Sequence, residues 1–264
     1  MQSSHTLAGE PRRLAWTLGN LLMLAGCYLL VYVGGVYADE AYGRAAARGD
    51  SALPLAVAAP IDPAPAGDPL AGAAAFVAPN LNAAALPVPA APQPHVSSVT
   101  RIEIPSIGVD SKVVEVGWDL VDDGAGGQAA VWQVAKFAVG QHRGSANPGE
   151  GGNVVMAGHV GGAGPVFARL IELKPGDQLT LNSRGQQYLY VVRESLRLQE
   201  IGAADEERLA NAAYMDPTPE EMVTLITCWP ATGPDAFDQR IVVRAVPFSA
   251  AAPIDSAVSN WGVR

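Results

Sequence analysis

Residues 14 to 37 read LAWTLGNLLMLAGCYLLVYVGGVY, an apolar run that no charged residue interrupts. As a helix rising 1.5 Å per residue it would extend roughly 36 Å, enough for a hydrocarbon core of about 30 Å. Arg12 and Arg13 precede it, and Asp39 and Glu40 follow it. Trp16, Tyr28, Tyr32 and Tyr37 are residues of the kind that settle at a membrane interface. The pattern predicts one retained membrane span at 14–37, with 1–13 as a cytoplasmic N-terminus and the remainder outside the cell. The alternative is a cleaved signal peptide, with Val36 and Ala38 as the small residues before the cut. A signal peptide's apolar stretch is shorter, about 7–15 residues.

Residues 38–98 change texture, and from 45 onward they are dominated by alanine and proline. Proline denies the backbone a regular ladder and alanine offers little area to bury, so this stretch reads as a disordered, semi-extended linker. From Val99 polar and apolar residues alternate. Short β-branched runs follow at 100–104, 109–116, 153–157, 178–181, 186–192, 224–227 and 240–246, separated by Gly, Pro, Asn and Asp. Such spacing predicts a mainly β domain, a barrel or sandwich, over residues 99–248. One helix is expected at Glu206 to Ala213 with Asp205 as its cap, and 249–264 reads as a tail.

Composition narrows the function classes. The chain has 264 residues, 49% hydrophobic and 16% charged, with a net charge of −9. The apolar fraction supports a core, while the acidic balance lacks the basic footprint of a nucleic-acid binder. Two cysteines and four histidines exclude a disulfide scaffold and argue against a zinc ribbon. No cofactor and no metal site are expected.

Cys27 lies inside the apolar span, where it serves as a small hydrophobe. Cys228 is then the one cysteine of the external domain. It closes the run Thr224-Leu225-Ile226-Thr227 and precedes Trp229-Pro230, so it should stand where a strand opens into a loop. His159 follows Asn153-Val154-Val155-Met156-Ala157-Gly158 and has the same kind of address. Arg240 opens a third strand. Each residue alone has a bland reading: an inert buried thiol, a surface imidazole, a solvated charge. Together they supply a nucleophile, a proton carrier and a permanent cation, which is what acyl transfer needs. Arg244 shares the face of Arg240, an even number of positions along the strand, but Arg240 is nearer the cysteine. His142 lacks an apolar strand before it and reads as a loop residue.

The blocks TLITC at 224–228, AGH at 157–159 and RIVVRA at 240–245 resemble the signature blocks of the sortases, in the order His, Cys, Arg. The similarity covers residues 99–248, including the opening IEIPSIGVDSKVVEVG, and the arrangement of anchor, linker and barrel is similar too. The subclass stays open, with a class D, E or F-like type included. The resemblance implies an eight-stranded β-barrel with one or two short helices. It implies Cys228 as nucleophile, His159 as general acid and base, and Arg240 as oxyanion and substrate clamp. The implied reaction cleaves an LPXTG-like sorting signal on a surface protein through a thioester. The protein is then passed to an amine on peptidoglycan or on a pilin-like protein. The enzyme would be held in the cell membrane by its single N-terminal span, contacting membrane lipid there.

Other readings fit less well. An L,D-transpeptidase places its histidine close before the cysteine, and a papain-like protease places it after. Here 68 residues separate His159 from Cys228, and no histidine follows the cysteine. The non-enzymatic alternative is a membrane-tethered β-barrel that binds or scaffolds surface proteins, with an inert Cys228.

Overall fold

The alternating runs close on themselves. In the computed structural model, which describes residues 10–55, 96–122, 128–162 and 164–250, eight strands form a closed barrel. In chain order the strands are β1 (Val99–Ile104), β2 (Val109–Val116), β3 (Trp118–Asp122), β4 (Gln128–Trp132), β5 (Val139–His142), β6 (Asn153–Ala157), β7 (Gln178–Ser183), β8 (Gln186–Gln199), β9 (Met222–Trp229) and β10 (Gln239–Pro247). Around the barrel the order is β1-β2-β5-β6-β9-β10-β8-β7. β3 and β4 form a separate hairpin. β2 with β5 and β6 with β9 are parallel, and the other neighbours are antiparallel.

Successive residues of a strand serve opposite faces, and in three adjacent strands both faces are covered. Val154 and Met156 of β6, Val223 and Leu225 of β9, and Ile241 and Val243 of β10 enter the barrel core with Ile102, Phe167, Leu181 and Tyr190. Val155, Ile226 and Val242, each next to one of these in its strand, belong to a second cluster with Trp132, Ala212 and Met215. Double coverage explains why 153–157 and 224–227 read as unbroken apolar runs.

The helical elements depart from the sequence reading at their ends. α1 is continuous from Glu10 to Ala46, so it runs beyond residue 37; its added stretch is made of residues that tolerate a helix well, alanine above all. Within it Gly19–Ala46 is long and apolar enough to cross a membrane. α2 spans Asp205–Ala212 and begins at Asp205, with Ala204 at the cap position and no capping side chain. Three acids in its first turn, Asp205, Glu206 and Glu207, suit the positive end of the helix dipole.

The chain divides into two units, Met1–Tyr42 and Gly43–Arg264. The second begins well before the barrel's first strand. Ala46 and Ala47 are buried, and Ala47 packs with Val116, Ala135 and Ala138. The Lys112 backbone N–H donates to the Ala47 carbonyl (2.8 Å), and Lys112 Nζ donates to the Leu53 carbonyl (2.6 Å). Gly43 and Gly49 are required by close approach, since a Cβ would collide with the Phe137 ring at the first and with Asp110 at the second. Residues 43–55 therefore form a strap along β2, where a linker was expected. The Ser97 N–H donates to the Glu115 carboxylate (2.9 Å), so the chain re-enters the described structure on that same strand. The expected linker residues 56–95 and tail residues 251–264 lie outside the described residues.

Three strands lack a sequence-level expectation: the β3–β4 hairpin and β5. His142, expected in a loop, ends β5 and is buried. Its run Val139–His142 holds glycine and glutamine, so its apolar pattern is weak, yet all four residues are buried. Tertiary enclosure overrides pattern there.

Candidate active site

β9 is the middle of a three-strand floor. Its antiparallel partner β10 sets Cys228 directly opposite Arg240, and Thr224 opposite Arg244. Directly opposed residues in an antiparallel pair project from the same face, with Cβ atoms about 4.5–5.5 Å apart. Its parallel partner β6 sets Ala157 beside Ile226. His159 follows two residues after the end of β6, and Cys228 two residues after Ile226 in β9. Cys228 and Arg240 thus lie on paired strands, with His159 in the loop that leaves the neighbouring strand at the same end of the barrel.

The local sequence holds this rim in place. The Gly158 N–H donates to the Ile226 carbonyl (3.1 Å), and buried Thr227 donates its hydroxyl to the Gly158 carbonyl (2.8 Å). A Cβ on Gly158 would collide with Val166 and Phe167. The Phe167 N–H in turn donates to the His159 carbonyl (2.9 Å), closing the loop after β6. Across the rim, a Cβ on Gly161 would lie 3.5 Å from the Ala231 Cβ, so the histidine loop and the β9–β10 loop abut.

Burial lowers the His159 pKa below its ordinary 6.5, and a hydrogen bond to the Val134 carbonyl acts in the opposite direction. The half-buried imidazole is therefore neutral at pH 7. Cys228 is a free, half-buried thiol. Arg240 Nη1 donates to the carbonyls of Phe237 (2.8 Å) and Gln239 (3.1 Å), which sets the plane of the guanidinium.

Beside these residues a second apolar cluster covers the outer face of the barrel, with Val155, Ile226 and Val242 as its base. On one side stands the β3–β4 hairpin, where Trp118 and Trp132 meet edge to face at 5.4 Å and Trp132 stacks on His142 at 4.0 Å and 10°. On the other side stand Ala212, Tyr214 and Met215, within the connection from β8 to β9. That connection is tied to the floor. Thr224 Oγ1 donates to Asn153 Oδ1 (2.7 Å), and Asn153 Nδ2 donates to the carbonyls of Tyr214 (3.0 Å) and Asp216 (2.9 Å). A cleft lined by Leu198, Ala210, Asn211, Ala213, Tyr214 and Arg244 opens at its foot. Arg244 is occupied there, paired with Glu194 at 3.2 Å and lying 5.6 Å over the Tyr214 ring.

Sequence reasoning missed Asn153, Thr227 and Val134 because each acts through the backbone of a residue distant in sequence. The two tryptophans were the available signal for the hairpin wall, since large apolar side chains between short strands need a partner surface. Among the described residues no group of three or more His, Cys, Asp or Glu is placed to hold a metal ion.

A thiol, a neutral imidazole and an oriented guanidinium at one end of the barrel are groups suited to acyl transfer. A sequence model of the sortase domain matches residues 102–248. No curated protein matches the chain. Among solved structures, the chain is similar to sortase A from Listeria monocytogenes, 22% identical over 57% of this chain and 87% of that one, with a TM-score of 0.41. It is similar to a lid mutant of sortase A from Corynebacterium diphtheriae, 23% identical over 66% and 78%, TM-score 0.41. It is also similar to sortase C-1 from Actinomyces oris, 26% identical over 56% and 71%, TM-score 0.39.

Proposed function

The chain belongs to the sortase family, and from that premise we propose that it is a membrane-anchored cysteine transpeptidase acting through Cys228, His159 and Arg240. The single observation that supports the reading is the β9–β10 register that pairs Cys228 with Arg240, with His159 two residues beyond the neighbouring strand β6. The Cys228 sulfur attacks the carbonyl of a Thr–Gly-like bond in an LPXTG-like sorting signal. His159, neutral at rest, takes the Cys228 thiol proton during the attack and hands it to the departing amine, so the peptide bond breaks as the thioester forms. Arg240 stabilises the negative oxygen of the tetrahedral state. An amine on peptidoglycan or on a pilin-like protein then attacks the thioester, gives up its proton to His159 and releases the thiol. Substrates are surface proteins carrying a C-terminal sorting signal, bound at the barrel end that carries Cys228 and the β8–β9 connection. α1 anchors the enzyme in the cell membrane, with the barrel outside the cell.

Incubation of the full-length protein in detergent with a panel of LPXTG-like peptides tests this. An intact mass increased by the N-terminal peptide fragment, lost on treatment with an amine, is the expected result. Cys228→Ala should remain folded and form no adduct. An adduct that survives in Cys228→Ala would reassign the nucleophile.

A further inference from the structure

Three non-glycine residues among those described have left-handed backbone: Phe137 (φ 64°), Arg184 (φ 51°) and Phe237 (φ 68°). Two are explained by their surroundings. Arg184 sits in the tight Ser183–Gly185 turn of the β7–β8 hairpin. Phe137 packs its ring into the space above Gly43 and Gly164. Phe237 has no such return. Its ring is 45% exposed, and it occupies a longer loop in which glycine or asparagine would adopt the same conformation at less cost.

What Phe237 does hold is backbone. Its N–H donates to the Pro230 carbonyl (2.9 Å), two residues past Cys228. Its carbonyl accepts from Arg240 Nη1 at 2.8 Å. The next residue is pinned from the other side, because the Asp238 carbonyl accepts from the N–H groups of Glu200 and Ile201, both at 2.9 Å. With Pro230 and Asp238 fixed, the left-handed turn at 237 decides where the Phe237 carbonyl points.

We infer that Phe237 is a positioning residue for the reaction: its left-handed backbone aims the carbonyl that holds the Arg240 guanidinium beside Cys228. The inference rests on the reading of Arg240 as clamp. A local backbone outlier at a site is where such a device is expected, because the surrounding structure must over-determine it to keep it populated. The consequence is specific. Activity should follow the ability of residue 237 to adopt left-handed backbone, and should be indifferent to the size or hydrophobicity of its side chain.

The test uses the full-length protein in detergent and the LPXTG-like peptide that the wild type acylates fastest, with thioester formation followed by quenched intact mass. Phe237→Gly and Phe237→Asn should acylate within about twofold of wild type, because both tolerate left-handed backbone. Phe237→Val and Phe237→Ile, which resist it, should be slower by about tenfold. In an Arg240→Ala background the same four substitutions should make no further difference. Melting temperatures measured alongside identify a variant that has lost its fold, and the glycine and asparagine variants still decide the question then. Loss of activity in Phe237→Gly and Phe237→Asn with the fold intact would overturn the inference, since the ring and not the backbone would then matter. Equal rates for the valine and glycine variants would overturn it as well. If Arg240→Ala acylates normally, the clamp reading itself fails, an outcome distinguishable from either.

Discussion

Cys228 and Arg240 are direct cross-strand partners in the β9–β10 ladder. The pairing places a thiol and a guanidinium on one face, within reach of a single carbonyl carbon and its oxygen. Arg244 lies four residues further on in the same strand, roughly 13 Å away at 3.3 Å per residue. Removing a preorganised oxyanion donor typically costs on the order of a hundredfold or more. Arg240→Ala should lower kcat/KM by at least about that factor. Arg240→Lys should recover only part of it, because lysine keeps the charge and loses the planar fork. Arg244→Ala, which breaks the pair with Glu194 and the contact with Tyr214, should cost much less. Steady-state kinetics on the three folded variants decides, and a larger loss in Arg244→Ala would show that the clamp is Arg244 and not Arg240.

His142 should make the fold acid-sensitive. It is buried, neither ring nitrogen has a hydrogen-bond partner, and burial lowers its pKa from 6.5 to about 3. A base depressed in this way contributes its full stability above pH 6.5 and loses it as the pH falls toward 3. Each unit of that interval is worth roughly 1.4 kcal/mol. His142→Phe retains an aromatic ring to stack on Trp132 and removes the titration. Melting temperature against pH should therefore fall less steeply for His142→Phe than for wild type between pH 6.5 and 3. Parallel slopes would show that His142 is not the group responsible.

The strap at 43–55 should matter to the barrel's stability. Ala47 is 4% exposed and packs with Val116 and Ala138. A carboxylate there would be buried without a partner, a change that costs several kcal/mol unless the strap detaches. Ala47→Asp should lower the melting temperature of the full-length protein by about 5 °C or more, whereas Ala52→Asp, at an exposed position of the same segment, should leave it unchanged. Equal melting temperatures for the two variants would mean that the strap adds nothing to the fold.

The connection from β8 to β9 should choose the substrate. It supplies Ala212, Tyr214 and Met215 to the second apolar cluster and is tied to β6 through Asn153. Exchanging 200–221 for the corresponding loop of a sortase with a different sorting signal should change which peptide is acylated fastest. Thioester formation across a peptide panel reads this out. A folded, active chimera with unaltered preference would place selectivity elsewhere.

The local pattern of the chain was enough to predict much of this molecule. A long uncharged apolar run makes a helix wherever it lies, because its backbone must be satisfied within itself. Alternating and β-branched runs make strands, and the runs that end at Cys228 and begin at Arg240 pair in the β9–β10 ladder. What sequence could not determine is everything that depends on enclosure. β5 carries a weak apolar pattern and becomes a strand because β2 and β6 close over it. His142 is buried because Trp132, ten residues earlier in the chain, folds back onto it. Ala46 and Ala47 look like the start of a linker, since small side chains bury little area, yet smallness is what lets the segment lie against β2. The left-handed turn at Phe237 is invisible for the same reason: phenylalanine does not prefer it, and only the fixed partners Pro230, Asp238 and Arg240 hold it there.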